Sequence, residues 1–445
     1  MRPDAGEAPE QIGPDGILGA MVSGDLFEWS RRDGGRLWLA YPEPDLSHHG
    51  VVVGAAGSGK TETLLRVAYL AARAYRWRVV FLDAKGDAAT RDRFVAAMLL
   101  AGLPPGSVRV FPAERYDAWR GDARALTNRL MEVSDFSEPY YREMALRVLH
   151  LAAAAPAGEP RSSEELLGRL RKQALRAAYR NRPEATEIDD LGDRDVAGVA
   201  NRYRAFFGAL GGVLDGSWAF EDAPACYLML EGLALKAEAA RLGRFFLEDF
   251  AHYAGVRKSR EDRVLLIVDE FSALESTADA APLFERLRSF GAAVVVSAQG
   301  YAGLGPAADR ILDAAQTLVL HRSADPERLI SRAGTVPRLE HTRYLEPGAG
   351  GGPTGRPGPG TGSRQVAVTR REGWRVRPTD VRQLPTGEAL VISAGKAARV
   401  RVERLAAAGA LPAEAAGAGE APPDPAPKRD RPVFRPSPPP SVPGL

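Results

Sequence analysis

The chain has 445 residues, 45% hydrophobic and 26% charged, enough for a large core in more than one domain and too apolar for a disordered polymer. A formal charge of +2 leaves no net-charge argument for nucleic-acid binding, which would need a local patch. The lone Cys226 excludes an intrachain disulfide and a cysteine-built zinc cluster.

Residues 1–35 read as a polar, Gly-rich N-terminal extension with an amphipathic piece around Ile17 to Trp29. Arg36 to Tyr41 (RLWLAY) predicts a strand flanking the site that follows. Val51 to Val53 predict another, and Gly54 to Thr61 (GAAGSGKT) complete a G-x-x-x-x-G-K-[ST] phosphate loop directly after it. The helix beginning there carries Leu64, Leu65, Val67, Ala68 and Ala71 on one stripe. Arg78 to Leu82 reads as a buried parallel strand, Asp87 to Ala101 as a helix, and Ser107 to Phe111 as a further strand. This alternation indicates an α/β fold with a mostly parallel sheet.

From 118 to 259 the helical period dominates, as in Pro139 to Ala153 and Leu235 to Ala254, and predicts an inserted all-helical domain that splits the core into 36–117 and 260–405. Within it, Glu164 to Arg182 is expected to be one capped helix with Arg169, Lys172, Arg176 and Arg180 along one face. That ridge can track a phosphate backbone with Tyr179 stacking, or can simply be solvated charge. Cys226, among Ala225, Tyr227, Leu228 and Met229, reads as a buried thiol suited to a reducing cytoplasm. Strand patterns resume at Val264 to Val268, Ala293 to Val296, Thr317 to Leu320, Ala389 to Ile392 and Arg399 to Val402. Pro347 to Ser363 reads as a flexible Gly/Pro loop, and 406–445 as a disordered Pro/Ala-rich tail with a charged KRDRPVFRP patch. The longest apolar run, Val148 to Ala157, is broken by His150 and Pro156, and MRPDAGEAPEQ lacks the order of a signal peptide. The expectation is a cytoplasmic chain without a transmembrane segment, or one held peripherally at the inner face of the membrane.

The chemistry expected of the site follows from residue types. Gly54, Ala55, Ala56, Gly57, Ser58, Gly59, Lys60, Thr61 and Glu62 would cradle the phosphates of ATP with successive backbone N–H groups at a helix N-terminus, Lys60 adding a point charge. Thr61 and Asp269, the latter ending VLLIVDE, would hold Mg²⁺, and Glu270 would deprotonate the attacking water. Gln299, ending AAVVVSAQ, would sense the γ-phosphate.

In the order GAAGSGKT, LDAKGD (Leu82 to Asp87), helical insertion, VLLIVDEFSAL, RLRSFGAAVVVSAQGYAGL, the chain resembles the coupling-protein ATPases of bacterial conjugation and type IV secretion, the TraG/TraD group within the FtsK/HerA class of DNA pumps. Tyr227 to Arg257 and Val376 to Gly387 (VRPTDVRQLPTG) extend the similarity to roughly residues 36 to 405. The resemblance implies a RecA-like P-loop core and a hexameric ring. It implies single-stranded, relaxase-linked DNA as cargo, and secretion-channel components as partners. It also implies an arginine finger, for which Arg288 is the first candidate and Arg286 and Arg322 are rivals. Coupling proteins of this group usually begin with membrane helices, so a membrane-anchored partner is a further expectation. The alternatives are an FtsK/HerA-type motor moving protein substrates, and a scaffold that binds nucleotide without hydrolysing it.

Overall fold

The computed structural model describes residues 16–33, 35–230, 236–257, 259, 261–274, 280–345 and 364–405. The Gly/Pro loop 347–363 and the tail 406–445 lie outside the described residues. Among the described residues there are fourteen strands: β1 (Ile17–Gly24), β2 (Ser30–Asp33), β3 (Arg36–Ala40), β4 (Gly50–Val53), β5 (Arg78–Asp83), β6 (Val108–Phe111), β7 (Ala225–Met229), β8 (Val264–Asp269), β9 (Ala292–Ala298), β10 (Thr317–Leu320), β11 (Thr335–Leu345), β12 (Arg364–Trp374), β13 (Glu388–Ser393) and β14 (Lys396–Val402).

Twelve of them form one sheet in the order β2-β3-β1-β14-β13-β10-β4-β9-β8-β5-β7-β6, while β11 and β12 pair as a separate antiparallel ribbon. From β10 to β6 every pairing is parallel, and from β13 to β2 every pairing is antiparallel. The central strands are apolar on both faces because helices cover both. Val51, Val80, Leu82, Leu266 and Val294 point to the side that carries the helical insertion. Val52, Val79, Phe81, Ile267 and Val295 point to the side carrying helices Lys60–Arg73 and Ala88–Leu100. The alternation is the period of two that a strand imposes.

Three expectations need correction. The amphipathic piece assigned to the N-terminal extension is a strand: β1 pairs with both β14 and β3, so the sheet begins before residue 36. The stretch 118–259 is not all-helical, since β7 runs parallel between β5 and β6. ACYLM is buried on both faces and so lacks the alternation that marks a strand, and Cys226 in it is 1% exposed, as its apolar neighbours implied. The helices of the insertion therefore lie between β6 and β7, from Ala123–Glu132 to Asp193–Leu210. The third correction is the segment Glu164 to Arg182. Its Ser162 cap forms, the hydroxyl accepting from the Glu165 N–H at 3.1 Å, but the helix ends at Arg169 and a second runs Lys172–Ala178. Arg171 between them is extended at φ −135°, ψ 134°.

Three of the four basic residues have partners in the surrounding segments. Arg169 pairs with Glu165 and donates to the carbonyls of Ala152 and Gly158, Lys172 donates to those of Asp189 and Leu191, and Arg176 pairs with Asp189. Tyr179 is 3% exposed and its hydroxyl donates to the Leu151 carbonyl at 3.0 Å. Arg169, Lys172 and Arg176 are thus tied to partners within the insertion, Arg180 is exposed, and the aromatic ring is not free to stack on a base.

Among the described residues no helix is long and apolar enough to cross a membrane.

Candidate functional site

β4 sits inside the parallel block, between β10 and β9, and its four residues are buried. The turn leaving it is tied to both neighbours: Gly54 N–H donates to the Ala298 carbonyl at 3.1 Å and Ala55 N–H to that of Arg322 at 2.8 Å. A Cβ at Gly54 would stand 2.5 Å from the His321 Cβ, so only glycine fits beneath the loop. Gly57 at φ +69° and Gly59 at φ +112° adopt the left-handed backbone that turns the following N–H groups inward. The helix Lys60–Arg73 starts there, its first turn presenting unpaired N–H groups and the positive end of its dipole.

Lys60 is 8% exposed, and its Nζ donates to the carbonyls of Gly54 at 2.6 Å and Ala55 at 3.2 Å. Burial holds its pKa below the usual lysine value, while Glu270 and Asp269 pull it the other way. The Thr61 hydroxyl donates to Asp269 Oδ2 at 3.5 Å. Asp269 Oδ1 accepts from the Ser297 hydroxyl and from the Glu270 N–H at 3.0 Å. Burial, with Asp83 beside it, pushes the Asp269 carboxyl above the ordinary carboxylate range despite the Ser297 bond. A hydroxyl and a carboxylate that converge in this way are hard oxygen donors fitting Mg²⁺, which takes few protein ligands and completes its shell with phosphate and water.

Glu270 leaves the strand end at φ +56°, a conformation costly for a non-glycine residue and held by its N–H bonds to Asp269 Oδ1 and, at 3.1 Å, Ser297 Oγ. Its carboxylate accepts from the Ser272 hydroxyl at 2.9 Å and from Gln299 Nε2 at 3.2 Å. Gln299 thus stands beside the assigned base. Glu62 lies on the first helical turn, ion-paired to Arg93.

Arg288 is elsewhere. It ends the helix Ala280–Ser289 and lines a cleft with His48, Asp313, Gln316 and Ser393 at the N-terminal end of the parallel strands, whereas the phosphate loop is at their C-terminal end. The structure therefore does not bring Arg288 to the site of its own chain. Of its rivals, Arg286 shares that helix, and Arg322 follows β10 beside the loop and holds Ala55 through its carbonyl.

Four supporting residues were not singled out in the sequence. Ser297 fixes both Asp269 and Glu270, and a lone serine inside AAVVVSAQ was the available sign. Ser272 holds Glu270. His321 braces the loop from below, Nε2 2.8 Å from Thr63 Oγ1 and Nδ1 3.0 Å from the Glu388 carbonyl. Tyr227 donates to Asp83 Oδ2 at 2.6 Å, and Asp83 also accepts from the N–H groups of Lys85 and Asp87 at 2.9 and 2.7 Å, which shapes the D-x-K-G-D turn.

Residues 249–403 match the family model of the type IV secretion-system coupling protein DNA-binding domain. No curated protein matches the sequence. Solved structures do match the fold. The plasmid coupling protein TrwB in complex with the ATP analogue ADPNP is 17% identical, with 87% of this chain and 94% of that one covered and a TM-score of 0.58. TrwB in complex with ADP and Mg²⁺ is 17% identical over 90% and 97% of the two chains, with a TM-score of 0.57. VirB4 of Thermoanaerobacter pseudethanolicus is 14% identical over 88% and 96%, with a TM-score of 0.52. By sequence over residues 249–403 and by its RecA-like P-loop fold over most of its length, the chain is similar to the type IV secretion coupling proteins, as its motifs indicated.

Proposed function

We propose that the chain is an ATP-hydrolysing coupling motor, working in a ring of identical subunits, that drives DNA or a relaxase–DNA complex into a conjugative type IV secretion channel. The observation that carries the reading is the convergence of Lys60, Thr61, Asp269 and Glu270, from β4 and β8, on one point at the C-terminal edge of the sheet. Glycine-turned N–H groups and Lys60 bind the triphosphate and meet the charge that builds on it during transfer. Thr61 and Asp269 would hold Mg²⁺, which would supply further neutralisation of the phosphate charge. Glu270 accepts the proton of the attacking water, and Gln299, within 3.2 Å of its carboxylate, couples the presence of the γ-phosphate to that group. The nucleotide complexes of TrwB support ATP and Mg²⁺ as the ligands. The matched DNA-binding domain model supports DNA as the cargo. The helical insertion is assigned to the substrate or its carrier protein, and Arg288 to a trans contact with the neighbouring subunit.

The similarity to VirB4 favours a second reading, a secretion ATPase of the same core acting on protein. ATPase rates of the purified chain with and without single- and double-stranded DNA, at low and moderate salt, separate the two. DNA stimulation that fades with salt is expected of the DNA motor. Activity indifferent to DNA would move the assignment to protein cargo.

A further inference from the structure

The antiparallel edge of the sheet builds a slot beside the phosphate loop. Cross-strand register places Trp38 of β3 opposite Ala20 of β1, Ala20 opposite Arg401 of β14, and Arg401 opposite Glu388 of β13. Directly opposed residues share a face, so an indole, a methyl group, a guanidinium and a carboxylate stand in one row. Trp38 and Arg401 are two strands apart, about 10 Å between backbones, with the smallest side chain of the row between them. A planar ring held face to face by two planar groups needs about 7 to 8 Å, twice the optimal carbon–carbon separation. Arg401 is held at one edge by Glu388, Nη2 donating to Oε1 at 2.8 Å, while its side chain is 71% exposed. Glu388 itself is 2% exposed and is also bound by Arg399 at 2.6 Å, so the guanidinium is anchored to a fixed base. These residues flank a cleft of about 800 Å³ that Trp38, Ala20 and Arg401 line together with Thr386 and Gly387.

Thr386 and Gly387 join this cleft to the phosphate loop. Gly387 N–H donates to the Ser58 carbonyl at 3.0 Å, the Thr386 hydroxyl to that of Gly57 at 3.4 Å, and a Cβ at Gly59 would meet Gly387 Cα at 3.1 Å. The order of strands then fixes a direction. β8, with Asp269 and Glu270, lies on one side of β4, and β13 and β14 lie on the other. A triphosphate whose terminal phosphate faces Glu270 must send its other end toward Thr386 and the slot.

We infer that the Trp38–Arg401 slot over Ala20 binds the base of the nucleotide whose phosphates the loop holds. The inference rests on the nucleotide-site reading above and deepens it. Stacking on both faces gives affinity without reading the edges of the base.

Calorimetric titration of the full chain with a non-hydrolysable ATP analogue and with inorganic tripolyphosphate, both with Mg²⁺, tests it. Trp38→Ala is expected to weaken the analogue at least about tenfold, as loss of one stacking partner does. Tripolyphosphate affinity should be unchanged, and Trp38→Phe should bind the analogue within about threefold of the natural chain. Ala20→Phe, which fills the slot from its floor, should exclude the analogue and still take tripolyphosphate, with thermal melts verifying that each variant is folded. Analogue affinity untouched by both Trp38→Ala and Ala20→Phe overturns the slot and leaves the phosphate site standing. Parallel loss of both ligands also overturns it, because the base would then have no separate subsite. If the natural chain binds neither ligand, the nucleotide site itself is refuted and the slot with it.

Discussion

Two clusters of buried charge, one beside the helical insertion and one at the phosphate loop, are built on opposite plans. Between the helical insertion and the core, Arg129 and Asp249 are 1% and 4% exposed and bound to each other. The second Asp249 oxygen accepts from the Tyr116 hydroxyl at 2.5 Å, and the second Arg129 nitrogen donates to the Arg120 carbonyl. One cation meets one anion, and the pair closes on itself. At the C-terminal edge of the sheet, Asp83 and Asp269 are paired across β5 and β8 and are 1% and 7% exposed. Their direct partners are hydroxyl and amide groups, and Lys60 spends its bonds on loop carbonyls. The closed pair clamps two parts of the fold. The open cluster carries surplus negative charge where a divalent cation and a phosphate chain would balance it.

Substitutions that cut into the open cluster should have the largest effects. Lys60→Ala is expected to abolish nucleotide binding, and Glu270→Gln to keep binding while turnover falls by about 10² to 10⁴-fold, the usual worth of a positioned base. Steady-state ATPase beside equilibrium binding measures both. Equal hydrolysis by Glu270→Gln and the natural chain would remove Glu270 as the base. The closed cluster should answer on a different scale. Arg129→Met strands a buried carboxylate and should cost about 3 to 5 kcal/mol of stability, whereas Arg129→Met with Asp249→Leu should recover most of it. Chemical denaturation reads this. A double variant no more stable than the single one would show that the pair is not the clamp, and ATPase per folded molecule should stay within about twofold throughout.

The open cluster was legible in the sequence because its parts are contiguous. GAAGSGKT and VLLIVDE each bring backbone and side chain to the site within a few residues, and a strand before each fixes its direction. The closed cluster was not legible, since Arg129 and Asp249 are 120 residues apart and neither stands in a motif. Ser297 escaped for the same reason, its hydroxyl acting across 28 residues onto Asp269. The fate of the basic ridge was not legible, because a 3.6-residue period reports which side chains share a face and says nothing of Asp189, which pairs with Arg176, or of the carbonyls of Ala152, Asp189 and Leu191 that accept from Arg169 and Lys172.

Two histidines allow the comparison to be made with pH. His49 Nδ1 accepts from the Val294 N–H at 3.0 Å and its Nε2 donates to the Phe284 carbonyl at 2.8 Å. In His321, Nδ1 faces a carbonyl and so carries the proton, which leaves Nε2 to accept from Thr63. Both rings use their neutral form fully, and burial pushes each down to about 4, Arg288 and Lys60 acting in the same sense. A folded value below the unfolded one means that this stability is complete above about pH 6.5 and is lost as pH falls toward 4, by up to about 1.4 kcal/mol per unit for each ring. His321→Gln, whose amide can keep one of the two bonds, should flatten the fall of melting temperature over that window. An unchanged slope would place the acid sensitivity elsewhere.

The smallest effect should be the most telling about the open cluster. Asp269 is held above the ordinary carboxylate range by burial, so in the folded chain its ionised form is disfavoured. The sign is opposite to that of the histidines: this carboxyl contributes most below the unfolded carboxylate value and opposes folding as pH rises through its folded value. Asp269→Asn leaves an amide oxygen for the Ser297 hydroxyl and the Glu270 N–H, and removes the charge while the new NH2 group can donate to the Thr61 hydroxyl. Without Mg²⁺ the variant should therefore melt slightly higher than the natural chain at neutral pH, and Mg²⁺ with nucleotide should stabilise it far less. The closed pair gives the contrast, because Asp249→Asn takes away a charge that Arg129 needs and should lower the melting temperature with or without Mg²⁺. If Asp269→Asn also melts lower in the absence of the cation, Asp269 is a structural acid like Asp249. A higher melt with a lost Mg²⁺ response would mark a position where stability is given up to hold a cation.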